Sequence, residues 1–397
     1  MPTLEIRNIG PIADVELTLN RLNVFIGPQS SGKSTIAKII SFCSWLEKDT
    51  LIHQDVDYVD AGFIKRELFE FHRMGSYFCD SSYIKYVGEA IEFEYSDKHV
   101  TINKTKGFDS AKVGKIAYIP SERNVVSLPG IASFPFAHNN IRSFVFDWLN
   151  IHDMFNEANW LPLLNLNVKF YYEDTTRTDR IVLGNGKEIP INEASSGLQS
   201  VIPLYAYLYY LTKLQYEDRG NVSYARKTDW ENAIRLRAHH LKEVTLEELA
   251  NFLDSISRPH FSNIIIEEPE LNLFPETQIM LVYGILKLLN KDRDRMVITT
   301  HSPYILYALN NCMLGGIVKD DIPPEDEDLQ RLKEAFVHPG KVSVWELKDG
   351  KFFSRTNDKE VRIQDKEGLI RNNYFDRIMK NVMSDFNALI NYYDAED

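Results

Sequence analysis

Nine consecutive residues constrain this chain more than any others: Gly27-Pro28-Gln29-Ser30-Ser31-Gly32-Lys33-Ser34-Thr35. They follow the apolar run Leu22 to Ile26 and precede a helical stretch, Ile36 to Leu46. G-x-x-x-x-G-K-S between a strand and a helix is the context a phosphate-binding loop requires. Backbone N–H groups of a glycine-permitted loop point at phosphate oxygens, and the helix N-terminus adds partial positive charge. Lys33 is expected to reach the β- and γ-phosphates of a nucleotide, and the Ser34 hydroxyl to hold Mg²⁺.

A core able to carry such a loop is affordable in 397 residues, of which 44% are hydrophobic and 26% charged. That length suits one large α/β domain with insertions, or two ordinary domains. No apolar run is long enough to span a bilayer; Val201 to Leu214 reads as a buried helix. The start, Met1 to Glu5, lacks the basic and apolar regions of a signal peptide. Three widely spaced cysteines (Cys43, Cys79, Cys312) form neither a disulfide framework nor a zinc pattern, so a reducing cytoplasm is expected. A net charge of −12 argues against a basic coat for non-specific nucleic-acid binding, while leaving a local basic groove open.

Along the chain, alternation in Leu4 to Gly10 and Ala13 to Leu19 predicts a hairpin leading into the strand before the loop. Helical spacing is read over Asp49 to Tyr83, then strands over Ala90 to Tyr95, His99 to Asn103 and Lys115 to Ile119. A helix is expected around Asn140 to Trp160, strands over Asn167 to Tyr172 and Arg180 to Leu183, and a long helix from Ser195 to about Lys213. A polar helical region, Trp230 to Leu253, precedes two short apolar runs, Asn263 to Ile266 and Arg295 to Thr299, which read as buried parallel strands flanking helix Pro275 to Leu289. The tail carries a hairpin (Val342 to Leu347, Lys351 to Arg355) and a helix, Gly368 to Tyr392. The acidic stretch Asp320 to Asp328 reads as a solvated loop. No long heptad run is present.

Phosphoryl transfer depends on positioning and charge neutralisation, so the remaining parts to seek are carboxylates, a water-orienting group and a phosphate sensor. The strand Ile264 to Ile266 ends in Glu267-Glu268-Pro269-Glu270. At the C-terminal edge of a parallel sheet these acids lie beside the phosphate loop. Glu267 is expected to bind Mg²⁺ through water, and Glu268 to orient the attacking water. His301, at the tip of the next strand and followed by Ser302-Pro303, suits a donor to the γ-phosphate. Small residues at a helix N-terminus, Ser195, Ser196 and Gly197 with Gln199, make a second anion-binding site, of the kind shared between two chains. An N-cap serine is the simpler account of Ser195 taken alone.

The set Gly27–Thr35, Ser195–Gln199, Glu267–Glu270 and His301 resembles the ABC-type ATPase superfamily, in the order phosphate loop, signature motif, acidic motif and switch histidine. Within it, Ile-Glu-Glu-Pro-Glu followed by Thr-Thr-His-Ser-Pro resembles the overcoming-lysogenization-defect (OLD) type and SMC- and RecF-like ATPase heads, relatives of which serve bacterial anti-phage systems such as Septu and PARIS. The resemblance implies an α/β P-loop NTPase head over residues 1–310, with an N-terminal hairpin and mixed sheet, a parallel core sheet, a helical lobe over about 124–260, and no long coiled coil. Residues 311–397 are then a C-terminal extension with a hairpin and a helix, outside the motif set and suited to partner docking.

The resemblance also implies catalysis by Lys33, Glu268 and His301, ATP held by Gly27 to Thr35, metal by Ser34 and Glu267, and a homodimer, or a higher oligomer of dimers, in which Ser195, Ser196, Gly197 and Gln199 act in trans. Pro120 to Arg123 lies where the family's Q-loop falls; no glutamine stands there, and Glu122 or Arg123 substitutes. Gln29-Ser30 replaces the frequent Asn-Gly, Glu267 replaces aspartate, and Leu271 to Pro275 lacks the histidines of the OLD version. Fewer than about a hundred residues follow His301, too few for a nuclease domain of the OLD kind. His239-His240 reads as a solvated face. The expected role is an ATPase controlling a separate nuclease or toxin in anti-phage defence. The alternatives are a RecF-like ATPase on duplex DNA, and a structural ATP clamp with negligible turnover.

Overall fold

The computed structural model describes residues 1–217, 259–290, 292–353 and 363–393. Elements are numbered below among those residues. The expected Trp230–Leu253 helix and His239-His240 lie outside them, as do Ser354 and Arg355 of the expected tail hairpin.

The first hairpin forms as its alternation predicts: β1 (Thr3–Ile9) pairs antiparallel with β2 (Ile12–Thr18), with Leu4, Ile6, Val15 and Leu17 turned into the core. β3 (Leu22–Ile26) is buried at every position, and its side chains divide between two cores. Leu22, Val24 and Ile26 face one apolar cluster, and Phe25 the other with the buried Asn23 hydrogen-bonded to Asn20, so neither face of the strand meets solvent. The phosphate loop follows directly, and α1 (Lys33–His53) leaves it.

β4 (Phe78–Val87), β5 (Ile91–Ser96) and β6 (His99–Lys104) extend the sheet on the far side of β1. β4 corrects the helical reading of Asp49 to Tyr83. Beyond α1, helical turns occupy Ala61–Ile64, Lys65–Glu70 and Gly75–Tyr77. From Phe78 the chain instead takes both neighbours' hydrogen bonds, pairing with β1 on one edge and β5 on the other. Tertiary pairing overrides the local aromatic spacing there.

β7 (Lys115–Ile119) leads to α2 (Asn140–Leu149), shorter than the expected helix, and then to a small antiparallel sheet. Its strands are β8 (Leu161–Pro162), β9 (Lys169–Glu173), β10 (Thr178–Val182) and β11 (Glu188–Pro190). The described part of the region expected as a helical lobe therefore mixes sheet and helix. α3 (Ser196–Tyr209) continues through a π-helical turn, Tyr210–Leu214.

β12 (Ser262–Glu267), α4 (Pro275–Leu288), β13 (Arg295–Thr299) and α5 (Pro303–Val318) complete the motif-bearing core. β14 (Val342–Lys348), β15 (Lys351–Phe352) and α6 (Tyr374–Ile390) follow. The main sheet runs β6-β5-β4-β1-β2-β15-β14-β3-β13-β12-β7. Its inner part, β14-β3-β13-β12-β7, is parallel throughout.

The tail is not an appendage. β14 pairs with β3 from Val342↔Leu22 to Glu346↔Ile26 and is buried over Val342 to Leu347. An edge at 310/311 would cut α5 in its interior. The hairpin expected as a docking element is thus part of the core sheet, because Val344, Trp345 and Leu347 find apolar neighbours on both faces.

Candidate nucleotide site

Parallel strands bring their C-terminal ends to one edge, which is where α/β sheets bind ligands. Register fixes the arrangement: Thr299 pairs with Phe25 on one side and Glu267 on the other, while Ile266 pairs with Ile119. The phosphate loop, His301, the acidic run and the Pro120 turn therefore emerge side by side. β13 lies between β3 and β12. The histidine strand is the immediate neighbour of the loop, and the acidic strand is one further away.

Gly32 is the N-cap of α1 with φ 102°, and α1 has no side-chain cap. A Cβ there would stand 2.2 Å from Ile12 Cδ1, so only glycine fits both the backbone and the space. The uncapped first-turn N–H groups are what a phosphate cradle requires. Lys33 is 4% exposed, and its Nζ donates to the carbonyls of Gly27 at 3.0 Å and Pro28 at 2.7 Å. Burial pushes this lysine down to about 8, against the opposing pull of Glu268 and Glu270. Ser34 is half-buried in the first turn of α1, and Thr35 is buried. Gln29 and Ser30 are exposed, Pro28 is half-buried, Ser31 is buried, and Ser30 takes φ 59°.

Glu267 is buried at 4% exposure, with Oε1 unpartnered among the described residues. Its charge acts on Lys38 of α1 and on the Tyr118 hydroxyl, whose pKa burial drives well up. An ionisable oxygen left unpaired at a phosphate cradle fits a cation ligand.

Glu268 takes φ 44°, a conformation a non-glycine residue adopts only when its surroundings hold it. Its Oε1 lies 3.6 Å from Nε2 of His301. The main-chain N–H of His301 donates to Oε1 of Glu270 at 2.6 Å. Burial raises the Glu270 carboxyl, opposed by that hydrogen bond. Burial, with the Lys33 charge, lowers His301, which favours neutral imidazole at neutral pH. Glu270 had no assigned role in the sequence reading; the last acid of Glu-Glu-Pro-Glu was its signal.

Arg123 holds the greatest surprise. It is fully buried and donates to the carbonyls of Ser200, Pro120, Glu267, Glu268 and Pro269 at 2.7–3.3 Å. Burial pushes its guanidinium down to about 10, opposed by Glu270, Glu268 and Glu267. With its donors spent on main-chain carbonyls, it braces the acidic turn against α3 and does not point to a nucleotide. Glu122 pairs with Arg73 at 3.0 Å. Neither residue stands free in the manner expected of a Q-loop substitute.

Ser195 is the N-cap of α3, its Oγ accepting from the Leu198 N–H at 3.5 Å. Ser195 and Ser196 are exposed. Gln199 Nε2 donates to the carbonyls of Asn192 and Ala194, so this side chain secures its own turn. A Cβ on Gly197 would come 2.8 Å from the Asn272 carbonyl, and Asn272 Nδ2 donates to Ser200 Oγ at 3.2 Å. The N-terminus of α3 is thereby packed on the turn that follows Glu268.

Loop, lysine, acid pair and histidine thus stand together at one sheet edge, the arrangement of a P-loop core. Residues 244–306 match the family described as "AAA ATPase domain". No curated protein matches. Among solved structures, the SMC head domain from Thermotoga maritima is 12% identical, covering 77% of this chain and 90% of its own, with a TM-score of 0.36. An Smc head domain from Pyrococcus furiosus, bound to the C-terminal domain of ScpA, is 10% identical, covering 78% and 92%, with a TM-score of 0.35. A dimeric bacterial ABC transporter cassette is 14% identical, covering 88% and 95%, with a TM-score of 0.29. Among the described residues, no helix is long and apolar enough to cross a membrane.

Proposed function

We propose that this chain binds and hydrolyses ATP, and that the working site is shared between two copies. The observation that carries the hydrolytic reading is the Glu268–His301 pair, 3.6 Å apart at the sheet edge that also presents Lys33. Gly27 to Thr35 hold the phosphates through main-chain N–H groups, and Lys33 exchanges the Gly27 and Pro28 carbonyls for phosphate oxygens. Ser34 and Glu267 are the residues that would hold Mg²⁺, which would supply neutralisation of phosphate charge. Glu268 orients the attacking water and accepts its proton, and His301 donates to the γ-phosphate.

The exposed Ser195 and Ser196, with Gly197, reach the nucleotide of a second copy. Their exposure at a helix N-terminus supports this. The motif set further supports the role of a sensor or scaffold subunit, cytoplasmic, controlling a separate nuclease or toxin in anti-phage defence. Steady-state phosphate release by wild type and by Glu268→Gln tests the chemistry. Turnover in the wild type and an ATP-dependent dimer trapped by Glu268→Gln are expected. No turnover in the wild type would leave ATP as a structural clamp. For the defence role, phage challenge of cells carrying this chain and its neighbouring gene should show protection that Lys33→Ala abolishes; equal plaque counts would overturn it.

A further inference from the structure

Among the described residues, α6 is anchored only at its start. Asn373 and Asp376 form a reciprocal capping box, Tyr307 Oη donates to Asp376 at 2.8 Å, and Arg377 pairs with the buried Glu346 of β14. From Ile378 to Tyr393 every residue is exposed. Yet the exposed helix is not polar. Ile378, Met379, Val382, Met383, Phe386, Leu389 and Ile390 are between 46% and 69% exposed and recur at the i, i+3, i+4 spacing of one broad face. Thirteen residues of unsupported helix are marginal in water, so a face of this kind requires a cover.

We infer that the cover is α6 of a second copy of this chain, packed antiparallel about a two-fold axis. An isologous contact must be self-complementary. Six of the seven apolar positions of α6 are symmetric about Ser384 in an antiparallel pair: Ile378 meets Ile390, Met379 meets Leu389, and Val382 meets Phe386, while Met383 falls opposite Asp385. The charged residues Lys380 and Asp385 stand outside these three layers. The area is sufficient. At the observed exposures the seven residues offer roughly 700 Å² per copy, close to the about 800 Å² per partner of a standard interface.

This contact is independent of nucleotide and distinct from the ATP-sandwiching contact proposed above. It does not rest on that reading. Pairing both ways joins two heads at each contact and would build an oligomer of dimers.

Sedimentation velocity on the full chain without nucleotide tests the inference. A species of twice the chain mass at micromolar concentration is expected for wild type and equally for Lys33→Ala. Phe386→Glu and Val382→Glu place a charge in the apolar seam and should weaken association about a hundredfold or more, with unchanged far-UV circular dichroism. Ser384→Glu, on the opposite face, should remain dimeric. A monomeric wild type, or a dimer that persists in both seam variants, would overturn the inference. Loss of the dimer in Lys33→Ala would do the same, by assigning the contact to the nucleotide site.

Discussion

Arg123 donates to the main-chain carbonyl of Glu268 at 2.7 Å, holding in place a residue whose φ of 44° is costly for glutamate. The same guanidinium reaches Ser200 on α3 at 3.2 Å. The proposed water-orienting acid and the proposed in-trans helix thus share one buried brace. Arg123→Ala should destabilise the chain by about 3 kcal/mol or more, since five carbonyls lose a buried charged donor. Arg123→Lys should recover little, because one ammonium cannot replace a planar fork. Urea unfolding measures both; an unchanged midpoint in Arg123→Ala would show that the brace carries no load.

Glu268→Gln should lower ATP turnover by about 10²–10⁴-fold, the usual range for a lost general base, with little change in ATP affinity. Phosphate release and fluorescent-nucleotide titration separate the two effects. Equal losses in both would mean that Glu268 serves binding instead of chemistry.

Lys33→Ala should abolish nucleotide binding. The lysine's own titration gives a finer check. Its pKa is lowered to about 8, so the charged form that attracts phosphate is depleted above that pH instead of above the ordinary 10.5. ATP affinity should therefore fall by about tenfold per pH unit above about 8, one proton being coupled to binding. A dissociation constant flat from pH 8 to 9.5 would contradict this placement of the ammonium.

His301 has the opposite consequence. Burial and Lys33 lower its pKa below 6.5, so it is neutral at pH 7 and charges only under acid conditions. Any change in turnover due to its protonation should lie below pH 6.5 and be absent from His301→Gln. An acid limb above pH 6.5 that vanishes in the variant would place the imidazole in a more exposed setting.

Gly197→Val should separate packing from exposure at α3. Even a Cβ here meets the Asn272 carbonyl at 2.8 Å, so the helix must move off the acidic turn. ATP-dependent dimerisation should be lost while nucleotide binding by the isolated chain survives. Retained dimerisation would show that α3 is not part of the shared site.

The phosphate loop, the acid run and the histidine were legible in the sequence because each is a local pattern whose partner elements are contiguous: strand, then loop, then helix. Periodicity likewise gave the first hairpin and the buried strands β3, β12 and β13, whose apolar runs need only a sheet covered on both faces. What local pattern does not carry is which strand lies beside which. β14 reads in the sequence as half of a tail hairpin, and it does pair with β15, but its other edge pairs with β3, more than three hundred residues earlier, where it finds hydrogen bonds and apolar contacts on both faces. Arg123 reads as a polar group near a nucleotide, yet carbonyls from two distant segments, at Ser200 and at Glu267 to Pro269, join that of nearby Pro120 around it. Residue type and spacing determined the phosphate-loop motif and the acids and histidine that accompany it. Long-range pairing, invisible to any local window, decided that the tail is core, that an arginine is a brace, and that α6 projects with its apolar face uncovered.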